Sequence, residues 1–252
     1  MIIAELGQPY RALNLFKVIN LSPMSVGSWL LLVFINVSLV YAFLYLPWGS
    51  VFGRWQAPLR RGLAWVCVPL GIGTAIYTGV MLGAMPARPF WNSPVLALLF
   101  FISALSTGVA VIILAQALTS RKGMDSYTIH QIHESTYLLT ASDVMLIGFE
   151  VLVIFLFLMF AHLTVGDVKY AVSVILPGGE LAGMFWLWVV LIGLLIPALI
   201  ELAFVIPKLL YHRDYRAPRA VDIVVPVAIL IGGFMLRYVV VVAGQITGPV
   251  GI

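Results

Sequence analysis

Residues 141–163 read ASDVMLIGFEVLVIFLFLMFAHL, a run that is apolar on nearly all faces of a helix. A soluble amphipathic helix would show a single apolar stripe, so this pattern is typical of a helix surrounded by lipid. A helix needs about 20 residues to cross a hydrocarbon core of about 30 Å, and this run is long enough. It nevertheless contains Asp143 and Glu150, although a charge near the bilayer centre costs roughly 2.5–3.5 kcal/mol. The run therefore predicts a membrane-spanning helix with two costly acids.

The rest of the chain has the same character. Hydrophobic residues make up 62% of the 252 residues and charged residues 10%, against about 25% charged residues in soluble domains. Strand-like alternation is absent from the sequence, which argues against a β-barrel. The sequence thus predicts an all-α integral membrane protein, a polytopic bundle of about six transmembrane helices. The predicted spans are residues 26–46, 63–85, 94–118, 141–163, 183–206 and 220–243.

Positive charges in the connections predict the orientation of these spans. Most of the 14 Lys and Arg residues follow spans one, three and five, so these connections are predicted to be cytoplasmic. Both termini then lie on the outer, periplasmic side of a prokaryotic inner membrane. Residues 1–25 are predicted to form an outer-face segment that leads into a single transmembrane helical domain, residues 26–252. The net charge of +4 requires no nucleic-acid partner, and the basic cytoplasmic loops are expected to contact anionic membrane lipid.

Four charged residues are the candidate functional groups of the spans: Asp143, Glu150, Glu201 and Arg237. Charged residues inside spans usually face the bundle interior and mark an ion, proton or substrate path. Asp143 and Glu150 are seven residues apart and share one helical face. Such acids suit proton exchange, and the alternative is that they form buried ion pairs or only pack. In the predicted topology the acids lie toward the cytoplasmic half and Arg237 toward the outer half.

Cysteine and histidine positions limit the cofactors. Cys67 is the only cysteine, so the chain has no cysteine cluster that could ligate an iron–sulfur centre. Three of the four histidines fall in connections, and only His162 reaches the end of a span. A haem b between helices needs two facing histidines, so neither a haem nor an iron–sulfur cluster is predicted in this chain. A metal site at His130 and His133 lacks a third ligand with clear spacing.

Two stretches carry a family resemblance. The first comprises residues 5–11 (ELGQPYR) and 20–29 (NLSPMSVGSW), and the second is residues 77–92 (YTGVMLGAMPARPFWN). They resemble the motifs of the NrfD, or polysulfide reductase membrane-subunit, family, and the similarity extends over nearly the whole chain in the expected order. In that family two earlier helices precede the turn at Glu5, and this chain is expected to lack them. Further similarity lies at residues 103–108, Asp143, Glu150, Leu236, Arg237 and residues 243–245.

This resemblance implies a function. Members of the family resemble quinone-reactive subunits of respiratory oxidoreductases that have no redox cofactor of their own. They exchange electrons between menaquinol or ubiquinol and a ferredoxin-like iron–sulfur subunit on the outer face. That partner connects them to a catalytic molybdopterin or multihaem subunit. The chain is therefore expected to be a quinol-oxidising or quinone-reducing subunit, with an exchangeable quinone as its substrate.

The resemblance also assigns roles to residues. Tyr77 corresponds to the family tyrosine that is expected to hydrogen-bond the quinone head group, and Glu5 to a carboxylate that accepts a proton nearby. Arg88, Trp91 and Asn92 are expected to shape the pocket mouth or the interface with the iron–sulfur subunit. Two other functions remain open. The same buried acids would suit a secondary transporter or proton-coupled channel, and the protein could also be a structural membrane anchor without quinone chemistry.

Overall fold

The structure, a computed structural model, describes residues 23–46, 53, 55–119, 126–164, 166–211 and 217–248. Six long apolar helices and no strand occur in these residues, which confirms the all-α, six-span prediction. Glu5 lies outside the described residues. The long helices are α1 (Pro23–Phe43), α2 (Gln56–Gly83), α3 (Val95–Thr119), α4 (Ser126–Leu163), α6 (Met184–Tyr211) and α7 (Val221–Ile246), and the short helix α5 (Asp167–Ser173) precedes α6.

The protein divides into two compact units, Met1–Ala84 and Met85–Ile252. In the first unit α1 packs against α2. The last carbonyls of a helix lack intrahelical partners, and Arg60 supplies donors here: its Nε lies 3.1 Å from the Leu44 carbonyl oxygen, just past the end of α1. The Arg60 guanidinium also lies over the Tyr45 ring, 4.2 Å from its centroid. These contacts join the end of α1 to the beginning of α2.

The second unit is a four-helix bundle. Helix α3 packs against α4 and α7, and α6 packs against the same two helices, so each helix has two neighbours. This ring places one face of every helix toward a shared interior, where side chains of facing helices can meet. At one end of the bundle, helices α3 and α6 end and helices α4 and α7 begin. That end is called here the α7-start end.

Helix α6 changes its hydrogen-bonding pattern along its length. Residues Met184–Leu195 are π-helical and Ile196–Tyr211 are α-helical. The change occurs next to Pro197, which has no N–H to continue the ladder. Gly193 of the π-helical part lies directly against Gly232 of α7, and a Cβ added at Gly193 would stand 2.5 Å from the Gly232 Cα. The absence of side chains at both positions lets the two backbones approach this closely.

Candidate functional site

Asp143 lies in the middle of the second unit. Its side chain is 0% exposed, and the Ser106 hydroxyl of α3 donates a 2.7 Å hydrogen bond to its Oδ1. Among the described residues, no hydrogen-bond partner reaches its Oδ2. A buried carboxyl oxygen without a partner is rare in folded proteins, since such atoms are normally hydrogen-bonded to protein or water. Asp143 is therefore positioned by one strong contact and keeps a second oxygen for another group.

Glu150 lies two turns further along α4 and is 4% exposed. The Ser103 hydroxyl donates a hydrogen bond to its carboxylate, and Arg237 of α7 interacts with it electrostatically. The Arg237 Nη1 donates to the Gly233 carbonyl oxygen at 2.8 Å and approaches Ser103 Oγ at 3.5 Å. A hydroxyl donor from α3 and a cation from α7 thus face one acid of α4, which reduces the cost of burying its charge.

Glu201 is the third buried acid. It belongs to α6, is 3% exposed, and interacts electrostatically with Asp143. Its Oε2 has no hydrogen-bond partner among the described residues. Glu201 borders a small cavity at the α7-start end, together with Thr140 of α4 and Asp222 of α7. The other lining residues are apolar: Ile113, Phe204, Val221, Val225 and Pro226.

Tyr77 belongs to the first unit, on α2. Its ring lies against Gly27 of α1 so closely that a Cβ added at Gly27 would overlap the ring. Its hydroxyl donates to the Met81 sulfur at 3.2 Å. A thioether is a weak acceptor, so this contact holds the hydroxyl only weakly. The glycine therefore fixes the position of the ring and leaves the phenol O–H available to a better acceptor.

Arg88 and Trp91 both contact the end of α7. Arg88 Nη1 donates to the Gln245 carbonyl oxygen at 2.9 Å, and Trp91 Nε1 donates to the Val240 carbonyl oxygen at 2.8 Å. The Trp91 ring covers Gly244, where a Cβ would overlap it. Two of the three residues assigned to the pocket mouth or partner interface therefore stabilise the last two turns of α7. The third, Asn92, has an exposed side chain.

A comparison with known proteins settles the family. The sequence model of the family described as "Polysulphide reductase, NrfD" matches residues 1–249 of this protein. The chain belongs to the NrfD family. Curated relatives include Protein NrfD of Escherichia coli K12, which is 31% identical over 193 residues, covering 75% of this protein and 55% of that relative. A polysulfide reductase subunit of Wolinella succinogenes is 28% identical over 187 residues, covering 74% and 55%. A NrfD homolog of Haemophilus influenzae is 34% identical over 171 residues, covering 68% and 49%.

The chain spans about half the length of the curated relatives it matches. In this NrfD-family protein the structure places three of the sequence-selected acids in the interior of one bundle, with Arg237 half-buried beside Glu150. Tyr77 belongs to the other unit, and Glu5 lies outside the described residues. Their functional roles remain predictions.

Sequence reasoning did not assign roles to the hydroxyls that meet the acids. Ser103 and Ser106 lie within the segment used for the family resemblance, but their contacts with Glu150 and Asp143 emerge only in the fold. The available signal was their spacing: two serines three residues apart share a face of an otherwise apolar helix. Thr140 and Asp222 were also missed, because each lies near the end of a span where polar residues are unremarkable.

Proposed function

We propose that this protein is a quinone-reactive membrane subunit of a respiratory oxidoreductase in a prokaryotic inner membrane. The observation that carries the proposal is the family match over residues 1–249, supported by a relative named as part of a polysulfide reductase. The protein exchanges electrons between menaquinol or ubiquinol and a ferredoxin-like iron–sulfur subunit on the outer face. That subunit connects it to a catalytic molybdopterin or multihaem subunit.

Tyr77 is the proposed hydrogen-bond donor to the quinone. Its ring is held against Gly27 and its hydroxyl donates only weakly to a sulfur. Redirecting the O–H to a quinone oxygen therefore loses little, whereas the hydrogen bond to that oxygen strengthens as the oxygen gains negative charge during electron transfer. Glu5 is proposed to accept a proton in the same reaction. These properties fit a quinone head group at Tyr77.

Proton handling is the second part of the proposal. Oxidation of a quinol releases protons as well as electrons, so groups that accept and pass protons accompany such a site. Asp143, Glu150 and Glu201 are buried carboxyls, and Arg237 interacts with Glu150. We assign this proton role to the second unit. The same acids would serve a proton-coupled transporter, and extraction of quinone from the purified complex distinguishes the two functions, because only the first requires bound quinone.

Replacing Gly27 by Ala tests the quinone assignment without touching a polar group. The added methyl must displace the Tyr77 ring, since no room exists between them, and we expect quinol-dependent turnover to fall several-fold. The matched control is Gly71→Ala in α2, whose Cβ would lie 3.6 Å from the Phe34 ring, an ordinary contact. Turnover is measured with a soluble quinol in membranes that contain equal amounts of assembled complex. Equal turnover in the two variants would contradict a quinone at Tyr77.

The proposed docking face is tested by Asn92. Its side chain is exposed immediately before α3, on the predicted outer side, so Asn92→Trp adds bulk without removing a described side-chain contact. We expect the amount of iron–sulfur subunit that co-purifies to fall by about tenfold, which corresponds to about 1.4 kcal/mol of binding free energy. Thr119→Trp, exposed at the opposite end of α3, is the control. If the partner is lost from Thr119→Trp instead, the docking face and the topology are both wrong.

A further inference from the structure

The cavity beside Glu201 is a polar feature that the quinone proposal does not explain. It has room for about one water molecule, and it lies against Val221 and Asp222, the first two residues of α7. Glu201 lines it with a side chain that is 3% exposed, and Oε2 has no hydrogen-bond partner in the described part of the chain. Buried carboxyl oxygens are normally hydrogen-bonded to protein or ordered water, so a water in this cavity would satisfy Glu201 Oε2.

Asp143 extends this feature into the bundle. Its Oδ1 accepts from Ser106, its Oδ2 has no partner within the described ranges, and it interacts electrostatically with Glu201. Helix α4 also contributes Glu150 to this interior, and α7 contributes Asp222 and Arg237. Helix α3 contributes the hydroxyls of Ser103 and Ser106. Arg237 interacts electrostatically with Glu150, the acid furthest from the cavity, and at the α7-start end the exposed Arg219 donates to the Ala117 carbonyl oxygen at 3.1 Å.

We propose that Glu201 and Asp143 form a proton-exchange site that communicates with the α7-start end of the bundle through a water in this cavity. A hydronium ion in the cavity transfers its proton to Glu201 Oε2: one O–H bond forms, one breaks, and a neutral water remains. Asp143 Oδ2 is the next acceptor toward the interior. This proposal rests on the proposed proton role of the second unit and adds where protons enter that unit. All the residues on which it depends belong to the second unit.

The ligand class follows from the lining. Within the described part of the chain, the side-chain oxygens that border this cavity come from Thr140, Glu201 and Asp222. Over the described residues, no group of three or more His, Cys, Asp or Glu side chains could hold a metal ion. One water needs only two to four polar partners. A proton carried by one water therefore fits this lining.

Infrared spectroscopy of the membrane-embedded complex tests this site directly. The carbonyl stretch of a protonated carboxyl is recorded over a pH series in H₂O and D₂O, without quinol. We expect a band that shifts in D₂O, because the proton exchanges through the cavity. Glu201→Gln should lose one component of this band, and Asp143→Asn should lose another and shift the Glu201 component. Glu180→Gln, at an exposed acid of the second unit, is the matched control and should leave the buried components unchanged.

Three results would overturn the proposal. The first is a band that is unchanged in Glu201→Gln, and the second is a band that does not shift in D₂O. The third is a band that disappears when choline chloride is replaced by sodium chloride, which would identify a sodium site. Glu201→Asp retains the carboxyl and should give a displaced component, so the test does not depend on Glu201→Gln assembling. Because the spectra are recorded without turnover, a negative result leaves the quinone proposal standing. Absence of bound quinone, in turn, leaves the proton site intact.

Discussion

Tyr77→Phe lowers quinol-dependent electron transfer by about ten- to a hundredfold while the complex assembles normally. The substitution removes only the hydroxyl, and the ring keeps its packing against Gly27. Negative charge develops on the quinone oxygen during electron transfer, and a hydrogen bond to a charged group contributes about 1.5–3 kcal/mol. Each 1.36 kcal/mol of barrier changes a rate tenfold. The loss therefore appears as reduced turnover at equal amounts of complex. The measurement is steady-state reduction of the iron–sulfur partner by a soluble quinol in isolated membranes.

Tyr211→Phe is the matched control for this prediction. Tyr211 is the last residue of α6, is 71% exposed and lies on the predicted cytoplasmic side. The same loss of a hydroxyl there should leave turnover unchanged. A wild-type rate in Tyr77→Phe, with the partner still bound, would remove Tyr77 from the quinone site.

Gly232→Ala destabilises the four-helix bundle by about 1–3 kcal/mol, the usual cost of overpacking a close contact. The added Cβ would overlap the Gly193 backbone of α6, and a backbone cannot rotate away as a flexible side chain can. Helices α6 and α7 must separate, so contacts along their whole interface weaken. The measurement is the free energy of unfolding in detergent, or the midpoint of thermal denaturation followed by loss of helical signal.

Gly148→Ala provides the comparison. Nothing described lies within 4 Å of a Cβ at Gly148 in α4, and Ala is favoured over Gly in a helix interior by about 1 kcal/mol. Gly148→Ala should therefore be neutral or stabilising, opposite in sign to Gly232→Ala. Because Gly193 and Gly232 share one contact, the double substitution should cost less than the sum of the single ones. Additive costs would show that the two glycines act independently.

The membrane character and the number of spans follow from composition and segment length. In lipid every backbone N–H and C=O must be satisfied within the segment, so a long apolar run has essentially one available structure, the helix. This constraint is local, and the six long helices agree with it. The interior position of Asp143 and Glu150 is predictable for the same reason: their seven-residue spacing puts them on one face, and lipid disfavours exposing that face.

The partners of these acids depend on contacts between helices that are distant in sequence. Helical periodicity indicates which face of α4 is buried, but it does not indicate that α3 will supply Ser106 to Asp143, or that Glu201 will come from α6. The roles of Arg88 and Trp91 illustrate the same limit. Their motif indicates an outer-face site, yet their side chains bind carbonyls of α7 about 150 residues further along the sequence.

Lipid and segment length thus account for the helices, because hydrogen bonding in hydrocarbon is a property of each segment by itself. Side-chain volume and close packing account for the site. Gly193 and Gly232 meet because two helices cross where neither has a Cβ, and the crossing brings α6 beside α7. Such a contact requires shape complementarity between surfaces on two helices, which no single segment encodes. The cavity at Glu201 is lined by residues of all four long helices of the second unit, so it too depends on how helices pack.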